Sequence, residues 1–130
     1  MLLPTELLTD VAAMDEQHDH LFEEIQRVKN ILLAVQNNDG PGMVLLTRFV
    51  EEMAEHFDWE ETAARNHGIP FETHAREHAR IMAFLRGKLR EIDEGDCNIP
   101  ALMVFVERQF ESHVAHHDLA LGQALRAAVK

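Results

Sequence analysis

Histidine and carboxylate side chains recur in this sequence at spacings that place them side by side on helices. His56 and Glu60 are four residues apart, as are His74 and His78, and the segment Gly68-Ile69-Pro70 separates the two pairs. Residues four apart on a helix lie about 40° apart around the axis and one turn apart along it. Each pair therefore presents two potential metal ligands on one face. A chain reversal at the glycine–proline segment would bring both pairs together between neighbouring helices.

Further histidines on apolar helix faces extend this set of ligands. His18 lies on the first predicted helix and His113 on the fourth. Burying five imidazoles and a carboxylate is costly unless each group has a strong partner, and buried polar groups rarely lack one. A metal centre supplies such partners, so we prefer it to a purely structural role. Because an ordinary zinc site takes no more than four ligands, the set fits two metal ions that share carboxylates, with Glu60 as one bridge.

Spacing alone leaves the second bridging ligand open. Asp118 lies five residues after His113, which on a regular helix is about 140° around the axis. It would reach the same site only if the helix widens there into a π-like turn or ends. His117, four residues after His113, would suit a regular helix better. Both residues therefore remain candidates at this level.

Four amphipathic helices would position these ligands. Apolar residues recur at spacings of three and four, as on the buried face of a helix. On the first helix this predicted buried stripe consists of His18, Leu21, Phe22, Ile25, Val28, Leu32 and Val35. We predict a first helix that begins with Asp15 as its N-cap, a second from about Met43 to His67, a third from near Glu72 to Glu94-Gly95-Asp96, and a fourth that begins at Asn98. Gly68 and Pro70 would end the second helix. A cluster of turn residues at 37–42 separates the first helix from the second.

The predicted fold is all-α, an antiparallel up-down-up-down four-helix bundle. Residues 1–130 would form one domain, with an N-terminal arm at 1–14, the bundle at 15–118 and a C-terminal tail at 119–130. The tail either continues as a helix or packs as a short separate piece. A chain of this length fits a single hydrophobic core.

Composition limits the functional classes. Nine histidines with no tyrosine, in a chain of 130 residues, favour metal binding. A net charge of -11 argues against nucleic acid and anionic membranes as partners. No apolar run is long enough to span a membrane, and the N-terminus does not resemble a signal peptide, so we expect a cytoplasmic protein. A protein partner or a homo-oligomer is left open. The single cysteine, Cys97, excludes an internal disulfide.

Four segments together resemble the hemerythrin family. They are M-D-E-Q-H at 14–18, H-F-D-W-E-E at 56–61, H-A-R-E-H at 74–78 and H-V-A-H-H-D at 113–118. The family pattern is one early histidine followed by HxxxE, HxxxH and HxxxxD, and all its positions occur here in order, over roughly residues 10–120. By this resemblance, one iron would be held by His74, His78 and His113, and the other by His18 and His56. Glu60 and Asp118 would bridge both irons, together with an oxo or hydroxo group.

The resemblance implies a non-haem di-iron protein that binds dioxygen reversibly at an open position of the iron held by His18 and His56. Such a protein would be an oxygen carrier, a store or an oxygen or redox sensor, and not an enzyme. Imidazole and carboxylate ligands also suit iron. The alternative is a di-iron redox enzyme that acts on peroxide or another small oxidant. Against it, oxidase-type bundles use Glu-x-x-His pairs, and none occurs in this sequence.

A ligand pocket should lie beside the open iron. We predict that it is lined by Leu21, Phe57, Ala64, Gln109 and Phe110. The family often has methionine in place of Ala64 and tryptophan in place of Gln109. Either Phe110 compensates for the lost volume, or the pocket is roomier and wetter, which would favour faster oxidation and a sensor or redox role. The remaining histidines His20, His67 and His116 should be exposed.

Overall fold

The computed structural model describes residues 3–34, 41–93 and 99–128, and this part of the chain is helical with no strand. A short 3₁₀ turn at Thr5–Leu7 precedes five helices: α1 (Ala12–Ala34), α2 (Pro41–Asn66), α3 (Glu72–Asp93), α4 (Ile99–His113) and α5 (Leu119–Ala128). A π-helical turn at Val114–Asp118 connects α4 directly to α5. The predicted all-α class is therefore confirmed. Within the described ranges, no helix combines the length and apolar character that crossing a membrane would require.

The apolar faces of α1 to α4 pack around a common core, as in a helical bundle. α1 contacts α2 and α4, and α2 contacts α3 and α5. The predicted buried stripe of α1 is confirmed for Leu21, Phe22, Ile25 and Val28. The predicted bounds of the second helix agree with α2 to within two residues. Val35, most of the turn cluster at 37–42, the end of the third helix at 94–96 and the cap at Asn98 lie outside the described residues.

The start of α1 differs from the prediction. The helix begins at Ala12, so Asp15 is a residue of its first turn and not its N-cap. The Asp15 carboxylate instead accepts hydrogen bonds from the N–H and hydroxyl groups of Thr9, at 2.8 and 2.7 Å, and from the N–H of Asp10 at 3.1 Å. A carboxylate here also lies at the positive end of the helix dipole. From its position in the first turn of α1, Asp15 therefore holds Thr9 and Asp10, which precede the helix, in place.

The end of α2 is a glycine cap, as predicted. Gly68 has a φ of 65°, a left-handed conformation that glycine adopts at no steric cost. The N–H of Ile69 donates to the carbonyl of Ala64 at 2.9 Å, and the N–H of Gly68 donates to that of Arg65 at 3.2 Å. These two bonds form a Schellman motif. They end α2 sharply, and α3 begins four residues later at Glu72.

The segment predicted as a C-terminal tail is helical through Ala128, because α5 continues from the π turn. Leu121 and Leu125 of α5 pack with Met14 and Ala64 in an apolar cluster separate from the main core. Gly122 of α5 lies against the N-terminal arm: a Cβ atom at this glycine would be 2.7 Å from the Cβ of Thr9. The absence of a side chain at Gly122 thus allows the arm and α5 to approach closely.

Candidate metal centre

Seven buried residues from α1, α2, α3, α4 and the π turn converge in the bundle. They form two overlapping groups, in each of which the potential ligand atoms lie within 4.8 Å of one another. The first group consists of Glu60, His74, His78, His113 and Asp118, and the second of His18, His56, Glu60 and Asp118. The structure therefore brings together all seven residues that the sequence predicted as ligands. Glu60 and Asp118 belong to both groups.

The helical spacing explains this convergence. His56 and Glu60 lie one turn apart on α2, and His74 and His78 one turn apart on α3, so each helix directs two side chains inward. Because the Schellman motif separates α2 from α3 by only a few residues, these two pairs meet. All of these side chains are at least nine-tenths buried.

The two carboxylates contact imidazoles of both groups. Oδ2 of Asp118 lies 2.9 Å from Nε2 of His18, while its Oδ1 lies 2.9 Å from Nε2 of His74. Oε1 of Glu60 lies 3.0 Å from Nε2 of His78, and its Oε2 lies 3.5 Å from Nε2 of His18. Each carboxylate thus offers one oxygen to each side of the cluster. This is the geometry that a pair of bridged cations requires.

The π turn decides between the two candidates that spacing left open. The N–H of Leu119 bonds to the carbonyl of Val114, five residues earlier, and this wider turn brings Asp118 into the cluster with no exposed surface. His117 remains partly exposed, and its ring lies 5.2 Å from that of His113 on the outer side. With Glu77 and His113 it forms a third group of potential ligands. Asp118, and not His117, therefore joins the seven-residue cluster.

The polar atoms of the cluster are mostly without hydrogen bonds. Thirteen buried side-chain nitrogen and oxygen atoms of the described residues lack a hydrogen-bond partner, and twelve of them belong to the seven clustered residues. The Nε2–oxygen contacts are close but do not have hydrogen-bond geometry. Leaving so many polar atoms unpaired in a protein interior is strongly unfavourable. Cations between the imidazoles and the carboxylates would satisfy these atoms, so the residues present fit a metal centre.

The pKa values of the histidines reflect competition between burial and carboxylate contacts. Burial lowers the pKa of His56 to about 4. Burial, together with neighbouring His74, lowers the pKa of His78 to about 2. Burial, the largest single cause, also acts to lower the pKa of His18 and His113, but their interactions with Asp118 and Glu60 together outweigh it and raise the pKa of both. His56 and His78 are therefore neutral at pH 7, the form in which imidazole binds metal.

The pKa values of the two carboxylates also shift in opposite directions. Burial and the neighbouring charge of Asp118 raise the pKa of Glu60 to about 8. Burial also opposes ionisation of Asp118, but contacts with His113, His18 and His74 hold its pKa well below its usual value. Two carboxylates this close cannot both ionise easily without additional positive charge. Bound cations would supply that charge.

Several groups surround the ligands. Nδ1 of His56 lies 2.7 Å from Oε1 of Gln17, and Nδ1 of His78 lies 3.6 Å from Oε1 of Glu61. The ring of Phe57 stacks on that of His78, with 3.8 Å between centroids. The roles of Gln17 and Glu61 beside these ligands were not predicted from the sequence. Each directly precedes or follows a ligand in the chain, but the helix that it faces depends on how the helices pack.

The predicted pocket residues are divided among three places. Phe57, Gln109 and Phe110 line an apolar cavity of about 20 Å³ among α2, α3 and α4. Leu21 lines a cleft on the other side, beside His56. Ala64 lies in the separate cluster with Met14, Leu121 and Leu125. The single pocket beside an open iron stays a prediction, and the volume next to Ala64 is occupied by Met14 and α5 and not by Phe110.

The histidines predicted to be exposed lie on the surface. His67 and His116 are exposed, and their Nδ1 atoms bond to main-chain carbonyls one turn earlier. The side chain of His20 is 53% exposed and lies 2.8 Å from Glu52. None of the three belongs to the seven-residue cluster.

Comparison with known proteins is informative at the family level. Residues 9–125 match the family model of the hemerythrin HHE cation binding domain. The match spans most of the chain and includes all seven clustered residues. No curated protein and no solved structure matches the chain.

Proposed function

The chain belongs to the hemerythrin family, and on this basis we propose that its buried cluster holds two iron ions and binds dioxygen reversibly. The donor set carries the proposal: five imidazoles and two carboxylates, with twelve buried polar atoms that have no hydrogen-bond partner. Imidazole and carboxylate together suit iron. An iron pair held here, with an oxo or hydroxo group from solvent, would supply the electrons that reversible dioxygen binding requires. The chain's own residues supply the ligands, the shielding and the access.

The unequal donor numbers of the two groups support an open coordination position. One group offers three imidazoles and two carboxylates, whereas the other offers two imidazoles and the same two carboxylates. With a shared solvent-derived bridge, the ion held by His18 and His56 would have one ligand fewer than the other. Ligand binding needs such an open position.

Two phenylalanine rings give part of the cluster apolar surroundings, which suits a small apolar ligand such as dioxygen. Phe57 contacts the rings of His56, His78 and His113, and Phe110 contacts that of His18. Both phenylalanines also line the 20 Å³ cavity among α2, α3 and α4, whose lining includes none of the seven clustered residues. Their rings shield this side of the cluster from water, whereas a surface cleft reaches His56 on another side.

We also propose the antiparallel up-down-up-down arrangement of α1 to α4. His18 and His74 lie near the beginnings of their helices, and Glu60 and His113 lie near the ends of theirs. In an antiparallel bundle, the beginnings of the odd helices and the ends of the even helices are at the same end. The meeting of these residues in one cluster supports this topology.

One observation favours the alternative, a di-iron redox enzyme acting on peroxide. A cleft of about 460 Å³ reaches His56 from the surface and has Glu16, Gln17 and Glu52 among its lining residues. An opening that leads from the surface to a ligand histidine, with carboxylates at its walls, admits water and peroxide more readily than a small apolar cavity does. The two functions differ in whether the oxygenated protein returns to its starting state.

Absorption spectra of reduced, iron-loaded protein would test the proposal. We expect two irons per chain, matching the two ligand groups, and a visible charge-transfer band that forms with oxygen and disappears when oxygen is removed. The variant His78→Gln should lose iron and the band, whereas the matched control His67→Gln, at an exposed position, should keep both. One metal per chain, or no band, would contradict the proposal. A band that persists after oxygen removal would favour the redox enzyme.

A further inference from the structure

The imidazoles on the two sides of the cluster have different partners at their outer nitrogens. Nδ1 of His56 faces the side-chain amide of Gln17 at 2.7 Å, and Nδ1 of His78 faces the carboxylate of Glu61 at 3.6 Å. The Nε2 atoms of both histidines face Glu60, at 3.3 and 3.0 Å. A metal at Nε2 therefore leaves Nδ1 of each ring as the protonated nitrogen, which needs an acceptor.

Glu61 is suited to be that acceptor for His78. The His78 side chain is 3% exposed, and its Nδ1 has no hydrogen-bond partner at present. The Glu61 side chain is 35% exposed, so its carboxylate can rotate to shorten the 3.6 Å separation without displacing the core. Gln17 already lies within hydrogen-bond distance of His56. The two acceptors differ in charge, since one is an anion and the other a neutral amide.

A second acidic side chain, Glu77, lies near the same group of ligands but is less able to act on a ligand imidazole. Glu77 lies close to His113 and His117. Its carboxylate, however, is bonded by the guanidinium of Arg80, whose Nε contacts both carboxylate oxygens at 3.2 Å. This pairing offsets the negative charge of Glu77. Glu61 is therefore the carboxylate best placed to act on a ligand imidazole through its outer nitrogen.

We propose that Glu61 and Gln17 are positioning residues that widen the difference in affinity set by the donor numbers of the two metal positions, so that the position at His74, His78 and His113 fills first and holds its ion more tightly. An anionic acceptor makes the imidazole a more basic and more strongly bound ligand, whereas a neutral amide mainly orients the ring. The proposal rests on the metal pair of the proposed function. It adds the order in which the two positions fill and two residues outside the ligand set that contribute to that order.

Titration of the apoprotein with Co²⁺ against a competing chelator would test this, with the visible absorption of Co²⁺ reporting each step. The wild type should bind two ions in two separate steps. Glu61→Gln should weaken the first step by about 10- to 100-fold and leave the second nearly unchanged, since outer acceptors typically contribute this much to metal affinity. Asp58→Asn is the matched control: it removes an exposed carboxylate one turn earlier on α2 and should change neither step.

Changes at Gln17 provide the reciprocal test. Gln17→Glu should strengthen the binding of the second ion and so reduce the difference in affinity between the two steps. Gln17→Leu should weaken the binding of the second ion alone. Glu61→Asp should recover part of the affinity that Glu61→Gln loses. Hyperfine-shifted imidazole N–H signals in the NMR spectrum of the Co²⁺ protein add a spectroscopic measurement: the His78 signal should move in Glu61→Gln. Unchanged thermal unfolding of the apoprotein variants would exclude a general structural effect.

The outcomes separate this inference from the proposed function. Two equal steps in the wild type, or a first step that Glu61→Gln does not weaken, would overturn the inference and leave the metal pair intact. An equal loss in Asp58→Asn would overturn it as well, because the effect would then be one of net charge. Failure of the wild type to bind Co²⁺ or iron at all would instead overturn the proposed function.

Discussion

Two regions of this molecule are equally buried and are stabilised in opposite ways. The apolar region contains Val28, Phe49, Ile92 and Met103, each at most 1% exposed. The metal centre is just as inaccessible, with His18, Glu60 and Asp118 at 0%, but most of its polar atoms lack hydrogen bonds. Burial of the first region is favourable by itself. Burial of the second is unfavourable until cations satisfy its atoms.

This difference divides the stability of the fold into two parts. One part depends on apolar packing and is present in the folded protein with or without metal. The other depends on the occupant of the centre, because binding that requires the folded state adds directly to the free energy of unfolding. Four measurements would test whether the two parts are separate.

Metal loading should have the largest effect. With both positions at roughly a thousandfold excess of metal over Kd, binding should raise the free energy of unfolding by about 8 kcal/mol. Chemical denaturation with saturating Fe²⁺, compared with a strong chelator, would measure it. Equal stability in the two conditions would mean that the centre does not bind metal in the folded state.

Phe49→Ala should have the next largest effect. Phe49 has no exposed surface, and truncating a buried phenylalanine typically costs about 3–5 kcal/mol. The loss should be the same with and without metal, because Phe49 is not one of the ligands. Phe105→Ala, at a position 45% exposed, is the control and should cost much less. If metal loading reversed the loss at Phe49, the two regions would be coupled.

Gly122→Ala should have an intermediate effect. The new Cβ would lie 2.7 Å from the Cβ of Thr9, so the arm or α5 must move, at a cost of roughly 1–3 kcal/mol. Gly87→Ala is the control, because its Cβ would meet only the flexible end of Arg90, at 3.9 Å. There, replacing a helical glycine should stabilise by roughly 0.5–1 kcal/mol. Thermal unfolding of both variants would show whether the two effects have opposite signs.

The pH dependence of the apoprotein should have the smallest effect. The raised pKa of Glu60, about 8 against its ordinary 4.5, stabilises the folded state at low pH, and this contribution is lost as the pH rises through 8. The lowered pKa of His56, about 4, has the opposite effect, but that contribution is complete above 6.5. Between pH 6.5 and 8, apoprotein stability should therefore fall, by roughly 1 kcal/mol per pH unit.

The metal-loaded protein should behave differently over the same range. Metal binding displaces protons from its ligands, so its contribution to stability grows as the pH rises. Denaturation of both forms at pH 6.5 and 8 would compare them. A fall of the same size in both forms would show that the raised pKa values lie outside the metal centre.

The structure of these two regions could be predicted from the sequence to different extents. His56 with Glu60, and His74 with His78, could be placed together because a spacing of four residues is a property of a single helix. The same is true of the buried stripe of α1. Asp118 could not be placed by spacing, because a π turn has no strong signature in the sequence. Its position was implied only by the resemblance to a family.

The features that the sequence did not reveal depend on contacts between segments distant in the chain. Asp15 has the composition of an N-cap, but its carboxylate reaches back to Thr9 from inside the helix. Whether Gln17 meets His56 depends on the relative register of α1 and α2, which hydrophobic periodicity does not determine. The close approach of Gly122 to Thr9 is between α5 and the N-terminal arm, which are far apart in the sequence.

The π turn has a consequence for which changes in length the chain can accept. In a regular helix one extra residue rotates everything after it by about 100°, and the π turn absorbs that extra residue. Leu121, Gly122 and Leu125 therefore keep the inward orientation that they would have in a regular helix one residue shorter. A one-residue deletion between His113 and Asp118, for example of the exposed Ala115, should turn the π turn into a regular helical turn and leave the aspartate four residues after His113, on the same face. A further one-residue insertion in this segment should instead rotate the aspartate and the buried face of α5 away from the core.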